Sequence, residues 1–98
     1  MFKYVTVSTD SGEFKLNANL NEHDKFYMPS LTTSNGDDCE CFSDNDTFLM
    51  ETIYPYLKGD VEDGELDSYF KIEKEDLLAV FEEAIGVGFF DEYFNKNN

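Results

Sequence analysis

The chain has 98 residues, 22 of them Asp or Glu against 7 Lys and no Arg, and its formal net charge is −15. That length predicts one domain over residues 1–98, and so acidic a chain is not expected to bind nucleic acid or anionic membranes directly. No run approaches the roughly 18 apolar residues of a membrane helix, and the first residues do not predict a secretory signal. Ten Phe and six Tyr favour a folded aromatic core over disorder.

The first predicted element is a β-hairpin. Phe2–Ser8 is rich in β-forming residues, Asp10–Gly12 indicates a turn, and Glu13–Leu20 alternates between apolar and polar side chains. The alternation predicts a buried face made of Phe14, Leu16, Ala18 and Leu20.

A second β region is predicted further along the chain. Phe26–Met28 is apolar but is followed by Pro29, which predicts an edge strand or a loop anchor. Thr32–Asp38 is predicted as a loop in which Asn35-Gly36 can take a hairpin turn. Cys39–Phe42 is predicted as a short strand after that turn.

The middle of the chain predicts a helix, an acidic loop and a strand. Ser43–Asp46 carries residues typical of a helix start, and Pro55 predicts that this helix either ends or resumes briefly over Pro55–Lys58. Gly59–Asp67 is predicted as an acidic loop, and Ser68–Ile72 as a strand. The inward positions of the helix are predicted to be Phe48, Leu49, Met50 and Ile53.

The clearest predicted element is an amphipathic helix over Lys74–Ile85, with Gly86 as its stop. A short last helix is expected after Gly88, and the tail Asn95–Asn98 is expected to fray. The predicted inward face of the long helix is Leu77, Leu78, Val80, Phe81, Ala84 and Ile85. These elements together predict an α+β domain, in which two or three helices pack on an antiparallel sheet made of the hairpin and one or two further strands.

The charge is distributed unevenly along the chain. Residues 1–36 hold four acids against three lysines, whereas residues 37–92 hold 18 acids against three lysines. The chain therefore divides into a near-neutral β part (1–36), a strongly acidic part (37–94) and a frayed tail (95–98). Solubility alone needs a net charge of only about 2–8 for a small domain, so the excess favours a functional acidic surface.

Metal binding and catalysis find little support among the residues. Cys39 and Cys41 form an isolated pair, and with His23 they supply too few ligands for a structural metal site. The acidic runs do not have the spacing of an EF-hand calcium loop, because none of Gly12, Gly36 and Gly64 fits its glycine position. No nucleophile or phosphate-binding motif is present either, so we expect no enzyme activity and no cofactor, and two reduced thiols in a cytoplasmic protein.

The acids themselves are the candidate partner-binding site. On the Lys74–Ile85 helix, Glu75 and Glu82 lie seven residues apart, as do Asp76 and Glu83, so each pair is spaced by about 10.5 Å. A compact chain of this length is about 35 Å across, and that length of duplex DNA carries about 20 phosphates. The predicted surface consists of Asp37, Asp38, Glu40, Asp44, Asp46, Asp60, Glu62, Asp63, Glu65, Asp67, Glu75, Asp76, Glu82, Glu83, Asp91 and Glu92.

In size, acidity and aromatic content the chain resembles the DNA-mimic inhibitors of phages and mobile elements. The resemblance is one of composition, so it assigns no role to any particular residue. It implies an inhibitor that blocks the basic site of a restriction enzyme, CRISPR effector, repair enzyme or nucleoid protein. The expected partner is a basic nucleic-acid-binding protein, and the expected location is the cytoplasm. The chain itself is expected to be a monomer or a homodimer. The alternatives are an immunity protein that neutralises a nuclease toxin, and a divalent-cation-binding or high-salt-adapted protein.

Overall fold

A computed structural model describes residues 2–20, 26–33, 35–42 and 46–96. Four strands form an antiparallel sheet in the order β1-β2-β3-β4: β1 (Phe2–Thr9), β2 (Gly12–Leu20), β3 (Phe26–Thr33) and β4 (Asp38–Cys41). The helical elements are α1 (Asp46–Phe48), a π-helix (Leu49–Ile53), α2 (Tyr54–Leu57), α3 (Gly64–Asp67), α4 (Lys74–Gly86) and α5 (Asp91–Lys96). The predicted α+β class is confirmed. Within the described residues, no helix combines the length and the apolar character needed to cross a bilayer.

The predicted hairpin is confirmed by the pairing of β1 with β2 along their whole length, from Thr9 opposite Gly12 to Phe2 opposite Asn19. The predicted inward residues Phe14, Leu16 and Ala18 of β2 are buried, and Leu20 is half-buried. Asn17, which the alternation predicts to face solvent, is also buried. Its side-chain amide donates hydrogen bonds to the carbonyls of Lys15 and Ser30 and to Thr32 Oγ1, which offset its desolvation.

The prediction of an edge strand or loop anchor before Pro29 is wrong, because β3 runs through this proline and lies between β2 and β4. Asn17 pairs with Ser30 and Asn19 with Tyr27, so Ala18 faces two residues of β3 across a bulge. Pro29 is one of those two residues. A bulge tolerates proline inside a sheet because the bulged residue need not donate to the ladder.

The hairpin turn between β3 and β4 is confirmed and is tighter than the predicted loop. Thr33 N–H donates to the Asp37 carbonyl at 2.9 Å, and Gly36 N–H donates to the Thr33 carbonyl at 2.9 Å. Gly36 has φ +90°, a left-handed conformation that favours glycine. The predicted strand after the turn is confirmed as β4, and the buried Phe42 follows it.

The helical run from α1 to α2 passes through Pro55 without leaving helical geometry. The Tyr54 N–H donates to the Leu49 carbonyl five residues back, so the turn before the proline is wider than an α-turn. That width accommodates a ring that would clash with the preceding turn of a regular helix. The predicted break at Pro55 is therefore wrong: the helix neither ends nor is interrupted there, and α2 continues directly from the π-helix. The predicted helix start lies partly outside the described residues, because α1 begins at Asp46 and residues 43–45 are not described.

Two predictions for residues 59–72 are wrong. The acidic loop contains α3, whose N-cap is Asp63; the Asp63 carboxylate accepts the backbone N–H groups of Glu65 and Leu66 at 3.0 and 3.2 Å. The predicted strand Ser68–Ile72 is irregular and does not join the sheet. Phe70 and Ile72 instead pack on the core from a loop and are half-buried, whereas Tyr69 is exposed.

The predicted amphipathic helix is confirmed as α4. Leu77, Val80, Phe81 and Ala84 are fully buried, and Leu78 and Ile85 are half-buried. The helix ends at Gly86 as predicted, but its cap is formed two residues later.

Gly88 provides that cap with φ +88°. The N–H of Gly88 donates to the Ile85 carbonyl and the N–H of Phe89 to the Ala84 carbonyl, the two bonds of a Schellman motif. The predicted last helix follows as α5. Asn95 and Lys96, which the sequence predicts to fray, are instead the last residues of α5, and residues 97–98 lie outside the described residues.

Phe81 stands at the centre of the core between the sheet and the helices. Its ring centroid lies 6.2 Å from that of Phe42 after β4, 6.4 Å from that of Tyr54 and 6.0 Å from that of Phe90. These contacts join α4 to the segment after β4, to α2 and to the segment before α5, while α4 itself packs against β1 and β2. The opposite face of α4 therefore points to solvent.

Candidate partner-binding surface

The outer face of α4 carries acids in the positions that the sequence predicts. Glu75, Glu82 and Glu83 are exposed and Asp76 is half-buried. The helix has 13 residues, a length of about 20 Å, and no basic residue in its last turn. The outer face therefore holds carboxylates near both ends of the helix.

The acids of residues 60–67 lie close to the N-terminal end of α4. Asp67 lines the same two cavities as Lys74, the first residue of α4, and Glu62 and Asp63 line one of them. The structure thus brings the 60–67 cluster next to the first turn of α4, which carries Glu75. Asp60, Glu62, Glu65 and Asp67 are exposed, and Asp63 is half-buried.

Among the predicted surface acids between residues 37 and 46, Glu40 does not lie at the surface. Glu40 is only 5% exposed, and its carboxylate accepts the backbone N–H of Lys71. Including Glu40 in the partner-binding surface is therefore wrong, because a long-range backbone contact buries it. Asp37 is exposed in the β3–β4 turn. Asp44 and the side chains of Asp38 and Asp46 lie outside what the structure describes.

Asp91 and Glu92 form the first turn of α5, just after the C-terminal end of α4. Asp91 is exposed and Glu92 is half-buried. Farther along α5, the Tyr93 hydroxyl donates to Glu51 Oε2 at 3.1 Å and so connects this segment to the π-helix. Acidic groups therefore occur at both ends of α4 as well as on its outer face.

Four lysines lie over aromatic rings, and no pattern in the sequence predicts this arrangement. Each places its ammonium 4.2–4.7 Å from a ring centroid, within the range of a cation–π contact. The pairs are Lys3 with Phe89, Lys15 with Tyr4, Lys58 with Tyr54, and Lys74 with Tyr56. Lys58 also pairs with Asp60 at 3.3 Å. These positive charges thus cover aromatic surface.

Two exposed acids and one contact of a buried tyrosine lie outside the predicted surface. Glu51 and Glu73 are exposed and belong to the same acidic half of the chain. The buried tyrosine is Tyr56, whose hydroxyl donates to Asp67 Oδ1 at 2.6 Å. This hydrogen bond, burial, and the negative charges of Asp67 and Asp63 raise the pKa of Tyr56 to about 12. No local sequence pattern predicts this contact, because the two residues are eleven positions apart.

Within the described part of the chain, no three His, Cys, Asp or Glu side chains are grouped as ligands for a metal ion. The Cys39 side chain is half-buried, and its thiol donates to the Asp37 carbonyl at 3.8 Å. Comparison with known proteins finds no matching family model, no matching curated protein and no matching solved structure. Inference about function therefore depends on the charge and exposure of this surface.

Proposed function

We propose that this protein is an acidic inhibitor that imitates DNA and occupies the nucleic-acid-binding site of a basic protein. The observation that supports it is the separation of charges. In residues 37–92, 14 of the 15 acidic side chains that the structure describes are exposed or half-buried, while four lysines of the chain lie over aromatic rings. Such unneutralised charge disfavours the compact state through self-repulsion, so a binding role is the better explanation for it.

The density of charge is of the right order for this role. The molecule measures 33 × 32 × 23 Å, and a 33 Å length of duplex DNA presents about 19 phosphates. Residues 37–92 hold 18 acids, of which Glu40 is buried. The number of acids in this part of the chain is therefore comparable to the number of phosphates on an equal length of duplex.

The mechanism is stoichiometric competition. Opposite charges steer the inhibitor and its target together, so association is fast at low salt and slows as salt screens the attraction. Once bound, the inhibitor excludes nucleic acid from the groove without any chemical step. A phage-encoded inhibitor of this kind would act in the cytoplasm of the host cell.

A pull-down from host lysate, made at low and at high salt, identifies the target, and displacement of a labelled duplex from that purified target tests the mechanism. The charge-reversed variant Glu82→Lys/Glu83→Lys is expected to release the target and lose displacement. The matched control is Asp10→Lys/Glu13→Lys, which changes the net charge equally at the exposed β1–β2 turn.

The proposal is contradicted if the two double variants behave alike, or if the recovered target still binds its duplex when saturated with inhibitor. Tight, specific calcium binding by calorimetry would instead favour a cation-binding protein. A captured nuclease toxin encoded beside this protein would identify an immunity protein, which relies on the same electrostatic attraction.

A further inference from the structure

A groove at the N-terminal end of α4 is a different feature from the acidic outer face of that helix. Two adjoining cavities of about 380 and 480 Å³ share Tyr56, Asp67 and Lys74 as lining residues. Phe70 lines the first cavity, and its ring centroid lies 6.2 Å from that of Tyr56. The groove therefore combines aromatic walls with carboxylates, the surroundings that a guanidinium or ammonium group prefers.

The groove already holds a positive charge that belongs to the chain itself. Lys74 Nζ lies 4.2 Å from the centroid of the Tyr56 ring. Lys74 is the first residue of α4, where the helix dipole disfavours a positive charge. Its side chain is exposed, so its ammonium can leave the ring for water at small cost.

We propose that this groove is a cation site that receives an arginine side chain of the basic partner, and that Lys74 occupies the site in the free protein. The inference rests on the proposed function and names the anchoring point of the same interface. Arginine fits better than lysine because its planar guanidinium stacks on an aromatic face while it donates paired hydrogen bonds to a carboxylate. Asp67 supplies that carboxylate beside Tyr56.

The groove is favoured over the outer face of α4 as the anchoring point for a physical reason. Carboxylates on the open helix face attract a cation through high-dielectric solvent and salt, which weakens each pair. In the groove, an incoming side chain also contacts the rings of Tyr56 and Phe70, which the open helix face does not offer, so a cation is held more tightly there.

An octa-arginine peptide is the probe, titrated into labelled protein at fixed salt. Lys74→Met removes the resident ammonium and keeps an apolar stem. Lys15→Met is its matched control, since Lys15 also lies over a tyrosine ring and its removal changes the net charge equally. Both variants make the protein more negative and so strengthen its long-range attraction for the peptide. Lys74→Met is expected to bind the peptide about two- to fivefold more tightly than Lys15→Met, because no ammonium then has to be displaced from the groove.

A second pair of variants tests the carboxylate. Asp67→Asn keeps an oxygen that can accept from Tyr56 but removes the charge, and Glu13→Gln removes one charge at the β1–β2 turn. We expect Asp67→Asn to weaken peptide binding at least threefold more than Glu13→Gln. Circular dichroism verifies that all four variants are folded.

The outcomes separate this inference from the proposed function. Peptide binding that is equal in Lys74→Met and Lys15→Met, or equal in Asp67→Asn and Glu13→Gln, overturns the groove and leaves the acidic inhibitor standing. Absence of salt-sensitive peptide binding by the unmodified protein overturns both.

Discussion

Removing one hydroxyl group at Tyr56 tests how the acidic segment 60–67 is attached to the rest of the fold. The hydroxyl donates to Asp67 Oδ1 at 2.6 Å and so joins α2 to α3. Tyr56→Phe deletes this bond and keeps the ring that packs beside Phe70. Hydrogen bonds to charged groups contribute about 1.5–3 kcal/mol, and the lower end applies here because Asp67 is exposed.

The expected loss of unfolding free energy is therefore about 1.5 kcal/mol. For a domain of this size that corresponds to a fall in Tm of roughly 6–12 °C. Urea unfolding at neutral pH measures the free energy, and an unchanged denaturant slope shows that the unfolded state is the same. The double variant with Asp67→Ala, a change that removes the acceptor, completes a cycle in which the two single costs are expected not to add.

The same contact predicts a stability change at alkaline pH. Tyrosine has an unperturbed pKa of 10.0, and the pKa of Tyr56 in the folded chain is about 12. The folded protein therefore holds this proton where the unfolded chain loses it, so the contribution is complete below about pH 10 and is lost as pH rises to about 12. Tyr56→Phe is expected to lack this loss. A variant as stable as the parent, or single costs that add fully, would refute the reasoning.

Three further predictions concern the core and the caps. Phe81→Ala is expected to lower the unfolding free energy by about 3–5 kcal/mol in urea, since Phe81 is fully buried among aromatic rings; a loss below about 1 kcal/mol would contradict that packing. Gly88→Ala is expected to lower the Tm, because φ +88° is strained for a residue with a side chain and the added Cβ would lie 2.8 Å from Asp91 Oδ2. Gly86→Ala is expected to raise the Tm, because its added Cβ meets open space and alanine favours a helix more than glycine does. If both glycine variants shift the Tm alike, the cap is misassigned. Glu40→Leu is expected to cost about 1–3 kcal/mol by leaving a backbone N–H without its acceptor, and Glu40→Gln less; equal urea midpoints would exclude that role.

The lysine positions add a physical point about the charge. The lysines of an acidic chain can pair with carboxylates or lie over aromatic rings. Lys15 over Tyr4 and Lys74 over Tyr56 have the second arrangement. Exposed ion pairs contribute little in water, so placing these lysines over rings costs the fold little.

Local sequence patterns by themselves determine much of this fold. The alternation in Glu13–Leu20 and the 3.6-residue period in Lys74–Ile85 each involve neighbours in sequence, and both elements are confirmed as β2 and α4. The concentration of charge after residue 36 is likewise a property of the sequence alone. These patterns succeed because a helix or strand must bury one face whatever it packs against.

Tertiary structure decided what depends on distant partners. Pro29 sits in an interior strand because a bulge opposite Ala18 frees it from the ladder, and Glu40 is buried because it reaches the amide of Lys71, 31 residues away. The groove around Tyr56 likewise exists only after α2, α3 and the start of α4 have come together. Sequence patterns report which face of an element is apolar, whereas the partner of each polar group is set by the packing of elements. That packing buried Glu40 and left Glu75, Glu82 and Glu83 exposed on α4.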